Sequence, residues 1–196
     1  MPRGNFYYYK IYKPFGVLSQ FTDSVGRPTL KSVFDFPPDV YPVGRLDYDS
    51  EGLLILTNDR ELNGLLLNPA HDHKREYFVQ VEGVPTGKDL SLFKKGILVQ
   101  RRITLPAEVK LISPPSFPQR NPPVRFRKSV PDSWLKIILV EGKNRQVRRM
   151  TAAIGFPTLR LIRVRIENIS LDDMKPGEVR ELSNDELGGL SEMKRR

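Results

Sequence analysis

The run Gly52-Leu53-Leu54-Ile55-Leu56-Thr57 constrains the fold more than any other segment. It is short, continuous and apolar, with a polar loop before it and Asn58-Asp59 after it. That pattern fits a strand buried on both faces. Around it the chain reads as further strands over 6–12, 17–20, 41–43, 75–81, 108–112, 134–141, 159–169 and 178–182, cut by Gly and Pro turns. Helices are expected from an Asn58 or Asp59 cap to Leu67, from Thr86 to Lys95 with Gly96 as the stop, and from an Asn144 cap through Ile154. A short helical stretch is expected over 30–34 and a weak helix from Asn184. The fold class is therefore α+β: a mixed, mainly antiparallel sheet with flanking helices and loops.

A chain of 196 residues suits one domain over 1–196, with room for two lobes, and can bury a core without disulfide or metal staples. It contains no cysteine, which excludes a disulfide framework, a thiolate zinc site and a cysteine nucleophile. No apolar run approaches the ~18 residues of a membrane span, and the first residues lack an apolar secretory core. A soluble, cytoplasmic protein without membrane association is expected.

The net charge is +9 and the pI about 9.8, a balance that points to a polyanion partner. The excess is concentrated. Residues 101–130 and 141–165 each hold seven Lys or Arg against one acid, whereas 41–100 hold seven against nine. Nucleic acid is the expected partner, with a solvated basic surface as the alternative. Residues 113–131 carry six prolines together with Arg120, Arg125, Arg127 and Lys128, the composition of an exposed basic loop.

Two segments can carry chemistry. The loop 44–52 crowds Arg45, Asp47, Asp49, Ser50 and Glu51 between apolar strands, where reactive groups are often placed. On composition alone an acidic turn held by its own side chains explains it better. Asp47, Asp49, Glu51 and Gly52 have calcium-loop spacing, but Asn58 stands where a bidentate Glu is needed and the flanks read as strands. His71-Asp72-His73 has no third ligand nearby and reads as a turn, so no metal is expected. The absence of a glycine-rich phosphate loop argues against a nucleotide cofactor. The second segment, 141–150, passes from strand to helix. Lys143, Asn144 and Arg145 at a helix start suit a phosphate, and Gln146 suits a base edge. The same residues also form a basic amphipathic helix with Val147, Met150 and Ile154 inward.

Five ordered blocks, YKPFGVLS (12–19), VGRLDYDSEGLLILTND (43–59), KREYFVQVEG (74–83), EGKNRQVRRM (141–150) and LRLIRVRIENISL (159–171), resemble the pseudouridine synthases of the small-subunit-type (RsuA-like) branch. The resemblance implies their catalytic fold, with an active-site cleft across the sheet, and isomerisation of one uridine to pseudouridine in bacterial ribosomal RNA. The large subunit is the more expected target than the small. The branch usually carries an N-terminal S4 RNA-binding module. Here the catalytic pattern begins close to Met1, so that module is expected to be absent. No cofactor is implied, and a monomer is expected.

The resemblance also assigns roles. Asp47 matches the catalytic aspartate acting at the sugar, either by attack at C1′ or by taking a proton from C2′. Arg148 matches the residue that orients this carboxylate and favours its charged form. Tyr77 matches the tyrosine that stacks on the flipped base, its hydroxyl where the C5 proton leaves. Arg45 and Leu46 belong to the substrate-binding block, Arg45 at a position that helps open the RNA. Leu161 packs against the base. A non-catalytic RNA-binding assembly factor is the alternative function. It need not retain Asp47, Tyr77 and Arg148 together.

Overall fold

A computed structural model describes residues 6–125 and 129–193. The strands are β1 (Tyr8–Lys13), β2 (Tyr41–Pro42), β3 (Glu51–Thr57), β4 (Arg75–Glu82), β5 (Leu98–Val99), β6 (Arg102–Ile103), β7 (Glu108–Ile112), β8 (Asp132–Leu139), β9 (Thr158–Ile166), β10 (Ile169–Ser170) and β11 (Val179–Glu181). The α-helices are α1 (Arg60–Leu67), α2 (Gly87–Lys95), α3 (Gln146–Ala153) and α4 (Asn184–Met193). The chain divides into two compact units, Met1–His71 with Ile166–Arg196, and Asp72–Arg165. The class is α+β, as the sequence indicates.

In the first unit β1 lies between β11 and β3, antiparallel to both, and β2 pairs with the end of β3. Every residue of β3 is buried. Leu54 and Leu56 enter a core with Tyr9, Ile11, Val17, Leu30 and Phe36. Leu53 and Ile55, on the opposite face, are also fully enclosed. Alternation along β1 likewise sends Lys10 inward. Its ammonium is held by Asp172 at 3.0 Å, Glu186 at 2.7 Å and the Ser170 carbonyl at 3.1 Å. Asp59 caps α1 by accepting from the Glu61 and Leu62 N–H groups.

In the second unit the sheet runs β9-β4-β8-β7, with β8 antiparallel to both β4 and β7. Its core contains Tyr77, Val79, Val81, Leu135, Ile137 and Leu139, with Val147 and Met150 from α3 and Phe93 from α2. Thr86 and Asp89 close α2 with a reciprocal capping box. At the other end Gly96 (φ +82°) lies so close to the Thr104 carbonyl that any Cβ would overlap it.

Glu76 faces away from that core. It receives Lys136 at 2.6 Å and Arg165 at 2.5 Å. Burial pushes its carboxyl up, but the two cations together outweigh burial and hold it below the ordinary carboxylate range. A depressed carboxyl stabilises the fold above its unfolded value, and that contribution is lost as pH falls through the folded value. Glu76→Gln is therefore expected to cost about 2 kcal/mol at pH 7 in urea melts, discounted for the partly exposed cations. The gap to wild type should narrow below pH 4.5, the ordinary glutamate value. A gap that is constant from pH 7 to pH 3 would contradict this.

Several expectations need correction. Residues 17–20 do not form a strand, and Leu18 makes only a single bridge to Thr29. The strand expected over 159–169 breaks at Glu167, whose φ of +50° turns the chain between β9 and β10. Arg160 and Arg163 are buried within β9. Asn144 is not the cap of α3. Arg145 holds that position in a left-handed conformation (φ +52°) with no side-chain cap, a strain of about 1 kcal/mol for a non-glycine residue. The β5–β6 hairpin was not expected. Arg127, Lys128 and the tail 194–196 lie outside the described residues. Among the described residues no helix is long and apolar enough to cross a membrane.

Candidate active site

The loop that carries Asp47 leaves β2 and enters β3, and main-chain bonds fix it along its length. The Val43 N–H donates to the Ile55 carbonyl at 2.8 Å. Gly44 has φ +73°, and a Cβ there would lie 3.1 Å from Leu67, so the bend admits little but glycine. Leu46 is buried in the first unit's core. The buried Ser19 hydroxyl grips it twice, accepting from the Leu46 N–H at 3.0 Å and donating to the Leu46 carbonyl at 2.9 Å. The Gly16 N–H donates to the Tyr48 carbonyl at 2.9 Å, and the Ser50 N–H to the Asp47 carbonyl at 3.0 Å. Asp47 is thus held on both sides by its backbone, with its side chain half-buried and Arg45 exposed beside it.

Sequence reasoning passed over Ser19. Only the fold brings it 27 residues along the chain to Leu46. Ser19→Ala would leave the buried Leu46 N–H without its acceptor, at a cost of about 1–3 kcal/mol. The expected signature in single-turnover kinetics is a lower rate of the chemical step with little change in substrate affinity. An unchanged rate would mean that the grip does not position Asp47.

The second unit carries Tyr77, Arg148 and Leu161. Tyr77 sits in β4 opposite Ile137 of β8, and Tyr77 and Leu161 share one core with Val147 and Met150. Arg163, on β9, is buried, and burial lowers its affinity for its proton. Attraction to Tyr77 and a hydrogen bond with it act in the opposite direction. Because a guanidinium can only donate, the Tyr77 oxygen is the acceptor, and its own O–H must point away from Arg163. Arg163 stands in the sequence as one of three arginines alternating with apolar residues, a pattern that does not single it out. Arg148 lies on α3 between buried Val147 and Met150, is itself half-buried, and reaches the Thr158 carbonyl at 3.5 Å.

The turn ahead of α3 is knitted by two side chains. Glu141 accepts from the Leu105 N–H at 2.8 Å and from the Gln146 amide, and it pairs with Lys143 at 3.2 Å. The Gln146 amide oxygen accepts from the Lys143 N–H at 3.0 Å. Gln146 is buried and engaged in holding this turn, whereas Lys143, Asn144 and Arg145 are exposed. Arg45, Leu46 and Asp47 thus belong to the first unit. Tyr77, Arg148, Leu161 and the 143–146 turn belong to the second. Among the described residues no group of three or more His, Cys, Asp or Glu side chains could hold a metal ion.

A carboxylate on a rigid turn suits attack or proton abstraction at a single carbon. A buried phenol oriented by an arginine suits stacking and proton transfer. The family model for RNA pseudouridylate synthases matches residues 7–153. Ribosomal large subunit pseudouridine synthase E of Vibrio vulnificus (strain CMCP6) is 51% identical over 173 residues, 87% of this chain and 73% of that protein. The protein of the same name from Xanthomonas axonopodis pv. citri (strain 306) is 50% identical over 167 residues, 84% and 87% of the two chains. Ribosomal large subunit pseudouridine synthase B of Bacillus subtilis (strain 168) is 36% identical over 184 residues, 93% and 70%. A crystal structure of a pseudouridylate synthase matches with a TM-score of 0.80 and 27% identity, covering 95% of this chain and 74% of that one.

Proposed function

We propose, for a chain that belongs to the RNA pseudouridylate synthase family, that it isomerises one uridine to pseudouridine in ribosomal RNA, with the large subunit as target. The observation that carries this reading is the Asp47 turn. The motif aspartate sits on a backbone pinned by Ser19 on one side and Gly16 on the other. A protein that only binds RNA has no need of a carboxylate held so firmly.

The reaction breaks the N1–C1′ bond, turns the base and joins C5 to C1′. C5 gives up a proton and N1 gains one, so no redox partner or group donor is needed. The target base is first unstacked, at a cost of a few kcal/mol. Asp47 acts at the sugar. Tyr77 stacks on the base and takes up the C5 proton as its own hydroxyl proton passes on to N1 or solvent, its oxygen oriented by Arg163. Arg148 stands at the motif position of the arginine that orients the catalytic carboxylate. Leu161 supplies an apolar wall to the base, and Arg45 holds the RNA open around it, while buried Leu46 anchors the loop from beneath. Lys143, Asn144 and Arg145 contact the surrounding phosphates, while Gln146 keeps their turn in shape.

The test is nucleoside mass spectrometry on large-subunit ribosomal RNA made without modifications and treated with the enzyme. One new pseudouridine per molecule is expected. Tight binding with no pseudouridine in large-subunit, small-subunit or transfer RNA would replace this reading with the RNA-binding assembly factor.

A further inference from the structure

A cavity of about 310 Å³ lies in the second unit between the tip of the β5–β6 hairpin and the turn that starts α3. Three cations line it, Arg102, Lys143 and Arg149, and no carboxylate residue is among its lining. Arg149 is held without being neutralised. It donates to two amide oxygens, one on Gln100 and one on Asn144 at 2.9 Å. Both acceptors are uncharged, so the guanidinium is oriented while its full charge remains available.

The hairpin is built to hold Gln100 in that place. Gln100 and Arg101 form its two-residue turn, and both have positive φ, +51° and +64°. Such turns normally call for Asn or Gly, so the side chain at 100 is kept against local preference. Thr104 ties the hairpin base down, accepting from the Ile97 N–H at 3.0 Å. The hairpin also pairs Leu98 with Ile103 across its strands, and both remain largely exposed, at 66% and 69%. Lys143 is paired with Glu141 at 3.2 Å, so the excess charge is that of Arg102 and Arg149, and an apolar pair next to them has the two halves of a nucleotide contact: a phosphate site and a surface for a sugar or an unstacked base.

We propose that this hairpin and cavity form a docking site for a stretch of the substrate RNA that flanks the reacting uridine. Arg102, Arg149 and Lys143 take a backbone phosphodiester, and Leu98 and Ile103 pack against an adjacent unpaired nucleotide. The inference rests on the reading of the chain as an RNA-modifying enzyme and adds to it a second point of grip. The excess positive charge of Arg102 and Arg149 favours RNA over an acidic protein, because a phosphodiester fits a small cation-lined cavity and an unstacked nucleotide fits the neighbouring apolar pair.

The experiment measures the affinity of the full chain for a large-subunit RNA fragment across a salt series, together with KM and kcat for pseudouridine formation. Arg102→Glu is expected to weaken binding about tenfold at 0.1 M salt, and Arg102→Gln to reduce the salt slope by about one. The loss should fall in KM. Gln100→Gly relaxes the turn but releases Arg149, so it should keep or raise the melting temperature while weakening RNA binding several-fold. Ile103→Asp should weaken binding with no change in the salt slope beyond that of one added charge. Lys88→Glu, an equal charge change on the exposed side of α2, should alter affinity less than twofold.

Equal losses for Arg102→Glu and Lys88→Glu, or wild-type affinity in Arg102→Glu and Gln100→Gly, would overturn the docking site. Wild-type turnover accompanied by those results would leave the catalytic reading intact. Loss of RNA affinity at Arg102 in a protein that forms no pseudouridine would do the reverse.

Discussion

Asp47→Asn is expected to slow pseudouridine formation by at least about 10⁴-fold, equivalent to about 5 kcal/mol of barrier, while RNA affinity changes by less than about threefold. The amide has the size of the carboxylate, and main-chain bonds hold the turn. The bonds from Ser19 to Leu46, Gly16 to Tyr48 and Ser50 to Asp47 all use main-chain atoms of the loop. An asparagine therefore keeps the geometry but can neither attack C1′ nor accept a proton from C2′. Single-turnover kinetics with filter binding separate the two quantities. A residual rate within about 100-fold of wild type would remove Asp47 from the chemical step.

Tyr77→Phe is expected to lower kcat about 10²- to 10³-fold with KM nearly unchanged, because the ring that stacks is retained and only the proton acceptor is lost. The same change deprives buried Arg163 of an acceptor, at a cost of about 1–2 kcal/mol of stability. Arg163→Met alone is expected to lower kcat about tenfold or more by freeing the phenol to reorient. In the double variant Tyr77→Phe/Arg163→Met the stability loss should be smaller than the sum of the two single losses, with no recovery of activity. Additive stability changes would show that Tyr77 and Arg163 do not act as a pair. A Tyr77→Phe enzyme with wild-type kcat would place the proton acceptor elsewhere.

What could be read from the sequence and what could not divide along physical lines. β3 was legible because six consecutive residues leave no polar face, and both faces proved enclosed. The start and stop of α2 were legible because Thr86 and Gly96 each act on the adjacent turn of the helix. The β5–β6 hairpin was not. Each of its strands has two residues, and Gln100-Arg101 carries none of the residues that normally mark a tight turn. Arg145 as the start of α3 was hidden for a related reason, since nothing local favours a left-handed arginine.

The candidate site shows the same division. Composition alone reads the 44–52 loop as an acidic turn, and only the ordered motif blocks single out Asp47. Tyr77 stands in an alternating strand whose bland reading is core packing, and it is indeed a core residue. Its partner Arg163 and the Ser19 grip on Leu46 are contacts made across the fold between residues distant in sequence. Gln146 suited a base edge by its place at a helix start. Its amide instead bonds to Glu141 and Lys143, a tertiary arrangement that spacing does not reveal.

The most direct test of the central claim is tritium release from large-subunit ribosomal RNA labelled at uridine C5, since forming the C5–C1′ bond must free that hydrogen. Wild-type enzyme is predicted to release one equivalent of tritium per RNA molecule and Asp47→Asn none. RNA that binds tightly to the wild type and releases no tritium would contradict the account.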